Sequence, residues 1–140
     1  MAYAQWVVII LKNDSGSHGS MKIKNLNLAW GKLHADGDKD TEVPISDYEG
    51  KVIKPGESIQ INSCGRSDAS SGTEGSFNLV EPDRGDYQIR HIYWECPWGD
   101  PDNQFTINGS DTNWLVDQKG ANPSNGALGN VTVTAYKKDE

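Results

Sequence analysis

Between Ile89 and Gly99 the chain reads Ile-Arg-His-Ile-Tyr-Trp-Glu-Cys-Pro-Trp-Gly, and few folds accommodate that stretch. Three large aromatics fall within six positions, followed by a Pro-Trp-Gly signal that ends a strand. Side chains alternate along a strand, so Tyr93 and Trp94 must point to opposite faces. One of them fills a core while the other joins Trp98 at the strand end. Two uses fit such a corner: a well-filled edge of the core, or recognition of something half apolar and half charged, such as a lipid headgroup.

The rest of the chain repeats this logic. Helical periodicity is nearly absent, and segment after segment reads as a strand bounded by turn residues. Strands are expected over 4–12, 57–63, 75–80, 87–95, 103–108, 113–118 and 129–136, with a loop over 13–20. Met21-Lys22-Ile23-Lys24 alternates strictly, then Leu26 and Leu28 take the opposite parity, which predicts a strand with a bulge near Asn25. Fifteen Gly and six Pro supply the punctuation. The spacing indicates an antiparallel β-sandwich rather than βαβ units. A chain of 140 residues suffices for one such domain with a real core, over 1–140, and is too short for two ordinary ones.

Charge narrows the partners. A net charge of -7 leaves no basic stripe to release counterions from nucleic acid, and it disfavours docking on anionic lipid. A membrane ligand should therefore be neutral or zwitterionic. The apolar run Trp6–Leu11 is short and has no basic residue before it, so no ordinary export signal is expected. The expectation is a soluble protein, cytoplasmic or exported by a non-classical route, that acts at the surface of target membranes. Cys64 and Cys96 are too few for a disulfide scaffold, and whether they form one bridge stays open. The sequons at Asn13, Asn108 and Asn130 carry little weight without evidence of secretion.

Other chemistry finds little support. Asp36, Asp38 and Asp40 have the spacing of a calcium loop, and Asp47 falls at its last ligand. The sixth position is Thr41 rather than the glycine that the sharp turn requires, so a solvated acidic loop is expected and no metal site. His18, His34 and His91 form no metal-ligand pattern. His91 and Cys96 sit five apart, which on one straight strand sends them to opposite faces. The remaining signal is aromatic: Trp6, Trp30, Trp94, Trp98 and Trp114. Trp30 and Trp98 each precede a glycine at a strand end, where they can share one rim of a sandwich and stack on a choline or ethanolamine cation.

At this point whole blocks become recognisable. Met1–Leu11, Trp30–Lys39, Ile61–Ala69, Tyr93–Gly99 and Gly126–Gly129 resemble the fungal aegerolysins, small acidic β-sandwich proteins. The resemblance implies an all-β, single-domain sandwich of the aegerolysin (actinoporin-like) type that is not an enzyme and needs no cofactor. It implies a ligand among membrane sphingolipids, either sphingomyelin with cholesterol or ceramide phosphoethanolamine. It also implies a protein partner with a membrane-attack-complex/perforin domain, the pair acting as a two-component pore-forming cytolysin. The family's lipid-contacting aromatics fall on Trp6, Trp30, Tyr93 and Trp98. A glutamate that sits near the headgroup in some members falls on Ser71, with Glu74 three residues on. The acidic Asp100-Pro101-Asp102 stands where relatives can carry lysine. Two alternatives remain beside this one: a lectin-like carbohydrate binder, and a developmental protein without a pore-forming role.

Overall fold

The computed structural model describes residues 2–16 and 18–138. Met1 of the first matching block and Ser17 of the expected loop lie outside them, as do Asp139 and Glu140. Its strands are β1 (Trp6–Asn13), β2 (Met21–Trp30), β3 (Lys32–Ala35), β4 (Asp38–Val43), β5 (Val52–Ile53), β6 (Ser58–Cys64), β7 (Thr73–Glu81), β8 (Tyr87–Cys96), β9 (Gln104–Asn108), β10 (Trp114–Lys119) and β11 (Gly129–Lys137). They form a six-stranded sheet in the order β10-β11-β1-β6-β3-β4 and a five-stranded sheet in the order β5-β2-β7-β8-β9. No helix among the described residues is long and apolar enough to cross a membrane.

Period-two alternation puts one face of each sheet inside. Val7, Ile9 and Leu11 of β1 meet Val131, Val133 and Ala135 of β11 and Ile61 of β6 in the core. Phe77 and Leu79 of β7 and Ile92 and Trp94 of β8 close it from the other sheet. The Phe77 and Trp94 rings pack at 6.4 Å and 57°, a tilted aromatic contact. Trp94 is fully buried, whereas Tyr93 lies on the outer face, as alternation requires.

Three departures from expectation have plain causes. The sandwich is antiparallel except that β1 pairs with β11 in parallel, a union of first and last strands that no hairpin constrains. The expected acidic loop around Asp36–Glu42 is instead the hairpin of β3 and β4, turning through Asp36-Gly37 with Ala35 opposite Asp38. β4 reads Asp-Lys-Asp-Thr-Glu-Val on an exposed sheet edge, so it shows no apolar alternation to find. Its Asp38 is spent within the turn, accepting from the Asp40 N–H and the Thr41 hydroxyl. The third is β5, a two-residue edge strand. Cys64 and Cys96 are both buried and free, on different sheets. Asn13 is buried, and its amide donates to the Gly19 and Ile53 carbonyls, which leaves no room for a glycan there.

The bulge in β2 falls where parity predicts it. The register slips between Lys24 and Asn27, and Asn25 adopts φ 58°. The two N–H groups thrown out of the ladder, those of Asn25 and Leu26, both donate to the Glu49 carboxylate at 2.8 Å. That carboxylate takes the place of the missing strand neighbour. Glu49→Ala should cost about 1 kcal/mol of unfolding free energy in urea titrations, and an unchanged midpoint would show that water replaces it freely.

A second polar anchor ties the chain end to the core. Glu81, fully buried, accepts from Trp114 Nε1 at 3.0 Å, from Arg84 at 3.2 Å and from the Lys137 ammonium. Burial pushes its carboxyl up, but the three donors outweigh burial and hold it below the ordinary 4.5. A carboxylate depressed in the folded state adds stability that is fully present above its unfolded value and is lost as pH falls through the folded one. The stability gap between wild type and Glu81→Gln should therefore be constant near neutrality and shrink below pH 4.5, followed by urea unfolding across that range. A gap that does not change with pH would refute the assignment.

Candidate functional site

One end of the sandwich gathers the functional candidates. There the end of β2, the starts of β3 and β7 and the ends of β6 and β8 converge, as shown by the pairs Trp30–Glu74, Thr73–Cys96 and Lys32–Cys64. The chain crosses between sheets at Gly31, whose φ of 88° favours glycine and whose added Cβ would sit 2.6 Å from the Cys64 carbonyl oxygen. Beneath the crossing runs a buried relay: Trp94 Nε1 donates to Thr73 at 3.0 Å, Thr73 shares a 2.6 Å bond with Ser63, and Ser63 donates to the Lys32 carbonyl at 2.8 Å. It links both sheets and holds Thr73 as a floor.

Above that floor opens a cleft of about 210 Å³ lined by Trp30, Ser71, Glu74, Glu95 and Trp98 among others. Trp30 is 58% exposed and Trp98 37%, unusually open for indoles. Glu74 and Glu95 face each other across β7 and β8, a like-charge pair that costs stability unless something cationic relieves it. No basic side chain lines the cleft among the described residues. Tyr93 lies one row further along the outer face and donates its hydroxyl to Glu74 at 2.6 Å. Burial, and then the Glu74 carboxylate, hold that phenol well above its usual range, so it stays protonated and fixes the carboxylate.

The five residues singled out from sequence thus divide. Trp30, Ser71 and Trp98 line one cleft, and Tyr93 adjoins it through Glu74. Trp6 begins β1 at the same end but on the outer face of the other sheet, with the Lys39 ammonium 5.3 Å from its ring centroid. Glu95 was missed. Its signal was available, because it has the same parity as Tyr93 and therefore shares its face. Asp100, Pro101 and Asp102 are exposed just beyond Trp98. The hypothetical Cys-His pairs do not form: His91 bonds Asn78 on the outer face, Cys96 points into the core, and Cys64 belongs to the other sheet.

Fold and cleft together define a β-sandwich protein with an acidic, tryptophan-rimmed recess and no basic residue in its lining. Residues 4–138 match the family model "Aegerolysin". The chain is 59% identical to ostreolysin A6 of Pleurotus ostreatus, covering 99% of both proteins. It is 58% identical to aegerolysin Aa-Pri1 of Cyclocybe aegerita, covering 98% of this chain and 93% of that one. Among solved structures, IP-1A from Alcaligenes faecalis superposes with a TM-score of 0.86 at 41% identity, over 99% of this chain and 94% of that one. The chain belongs to the aegerolysin family.

Gly72 is where cleft geometry is most exposed to test. A Cβ added there would lie 1.8 Å from the Cys96 carbonyl oxygen, a clash with backbone that no rotamer relieves. Gly72→Ala should destabilise by about 3 kcal/mol and shift the Trp30 and Trp98 environments in fluorescence. A variant with wild-type stability and emission would show that the two strand ends are free to part.

Proposed function

We propose that this protein recognises a zwitterionic sphingolipid at the membrane surface, sphingomyelin with cholesterol or ceramide phosphoethanolamine. In this role it is the lipid-binding component of a two-component pore-forming cytolysin. The observation that carries the proposal is the pairing of Glu74 with Glu95 between two exposed tryptophans, in a cleft that no basic side chain lines among the described residues. A choline or ethanolamine ammonium entering the cleft relieves the repulsion between the carboxylates, and Trp30 and Trp98 offer it aromatic faces. Tyr93 keeps Glu74 oriented, and Ser71 adds a neutral hydrogen-bonding group at the wall. Trp6 meets the same surface from the other sheet.

Energetics favour contact despite the net charge of -7. Burying a large side chain is worth about 1.5–3 kcal/mol, so two tryptophans entering the interface outweigh moderate long-range repulsion. Asp100 and Asp102 beside Trp98 repel anionic lipid, which confines binding to neutral and zwitterionic membranes. The strands are paired in two sheets and turn their apolar faces to the core between them, so the inserting strands come from a partner with a membrane-attack-complex/perforin domain.

Sedimentation with liposomes tests this directly. The protein should pellet with sphingomyelin/cholesterol or ceramide phosphoethanolamine/cholesterol vesicles and not with phosphatidylcholine alone. Trp30→Ala or Trp98→Ala should each weaken binding by about tenfold or more. Glu74→Gln with Glu95→Gln should erase the preference for ammonium headgroups. Ser71→Glu should change sterol dependence or headgroup choice. Equal binding to phosphatidylcholine alone, or full binding by the tryptophan variants, would overturn the proposal.

A further inference from the structure

The larger recess of the molecule lies elsewhere. On the outer face of the six-stranded sheet a pocket of about 550 Å³ is floored by Val8, Asn62 and His34. Register explains the floor, because Asn130, Val8 and Asn62 are successive partners across β11, β1 and β6 and all point outward. Trp6 and Tyr3 form one wall, and the β3–β4 turn forms the other.

His34 is the unexplained group. It is 4% exposed, and its Nδ1 bonds the Ala35 carbonyl at 2.8 Å. A carbonyl only accepts, so Nδ1 carries a proton, and in the neutral ring Nε2 is an acceptor. That Nε2 is buried with no hydrogen-bond partner among the described residues. A buried, unsatisfied acceptor costs about 1–3 kcal/mol. The Asn62 amide beside it is also weakly served, with one bond from Gln60 at 2.8 Å and one to the His34 carbonyl stretched to 3.5 Å.

The charged residues of the pocket are by contrast already engaged. Asp36 accepts from Gln60, Asp38 from Thr41 and Asp40 from Tyr3, while Lys39 donates to the Tyr3 carbonyl. Three carboxylates against one ammonium exclude an anion. What remains for a ligand is neutral: a buried imidazole acceptor, amides and an indole wall. We infer that this pocket binds a neutral polyhydroxylated ligand of pyranose size, a saccharide whose apolar face lies against Trp6 and whose hydroxyls donate to His34 Nε2 and bond Asn62. Aromatic walls with a few convergent polar groups suit a ring that is apolar on its faces and polar around its edge. Nε2 is closed to solvent, so a ligand reaches it only as the side chains around it move.

The test uses the full, ¹⁵N-labelled chain titrated with free glucose, galactose, mannose and N-acetylglucosamine. A second arm uses phosphatidylcholine vesicles carrying glucosylceramide. At least one saccharide should shift the amide resonances of His34, Asn62 and Asn130 while leaving the Trp30 and Trp98 indole signals in place. His34→Phe keeps the ring volume and removes the acceptor, and it should weaken binding by about tenfold. Asn62→Ala serves as the second variant and should weaken it likewise. Vesicle binding competed by the free sugar assigns the ligand to a lipid headgroup, whereas a response to free sugar alone assigns it to a soluble glycan. No response in either arm overturns the inference and leaves a water-filled pocket. So do shifts confined to the Trp30–Trp98 cleft. Sphingolipid binding at the Trp30–Trp98 cleft stands or falls separately, in the liposome assay.

Discussion

The constraint on which the rest depends is the contact of the two sheets at one end. Sheets packed face to face stand about 10 Å apart, and closing that gap requires backbone to approach backbone. Gly31 allows this beneath the Cys64 carbonyl, while Gly72 lets the chain entering β7 lie against the Cys96 carbonyl of β8 within one sheet. The Trp94–Thr73–Ser63–Lys32 relay then satisfies the polar groups trapped by the approach. Trp30 and Trp98 stand exposed at the rim above that floor.

Electrostatics give that rim its character. Buried Glu81 is matched by three donors and stabilises the fold, whereas Glu74 and Glu95 face each other beside the single hydroxyl of Tyr93. The same residue type is neutralised in one place and left in excess in another. Like charges that face each other in a small recess cost stability. The two recesses differ in what they leave open: carboxylates and indoles at the rim, and a buried imidazole acceptor with amides on the opposite sheet.

Much of the architecture was legible because alternation is a local property. Strands β1, β2 and β6 to β11 sit within a few residues of where apolar parity and turn residues put them, and the parity break at Asn25 located a bulge. Elements without a buried face were invisible. β4 carries one partly buried apolar residue, so hydrophobic pattern had nothing to report, although the Asp36-Gly37 turn was itself a hairpin signal. The parallel union of β1 with β11 joins opposite ends of the chain, and no local pattern encodes it.

At the site the division is the same. Sequence by itself determined that Tyr93 and Trp94 part company, that Trp30 and Trp98 end strands, and that the blocks around them belong to one family, since each follows from short-range spacing or from matching residues. Only the tertiary structure decided that Trp30, Ser71 and Trp98 share one cleft with Glu74 and Glu95, while Trp6 turns to the other sheet beside His34. Which strand ends meet depends on long-range pairing, and which face a first strand presents depends on what lies beneath it. Those are properties of the packed sandwich, and spacing along the chain does not carry them.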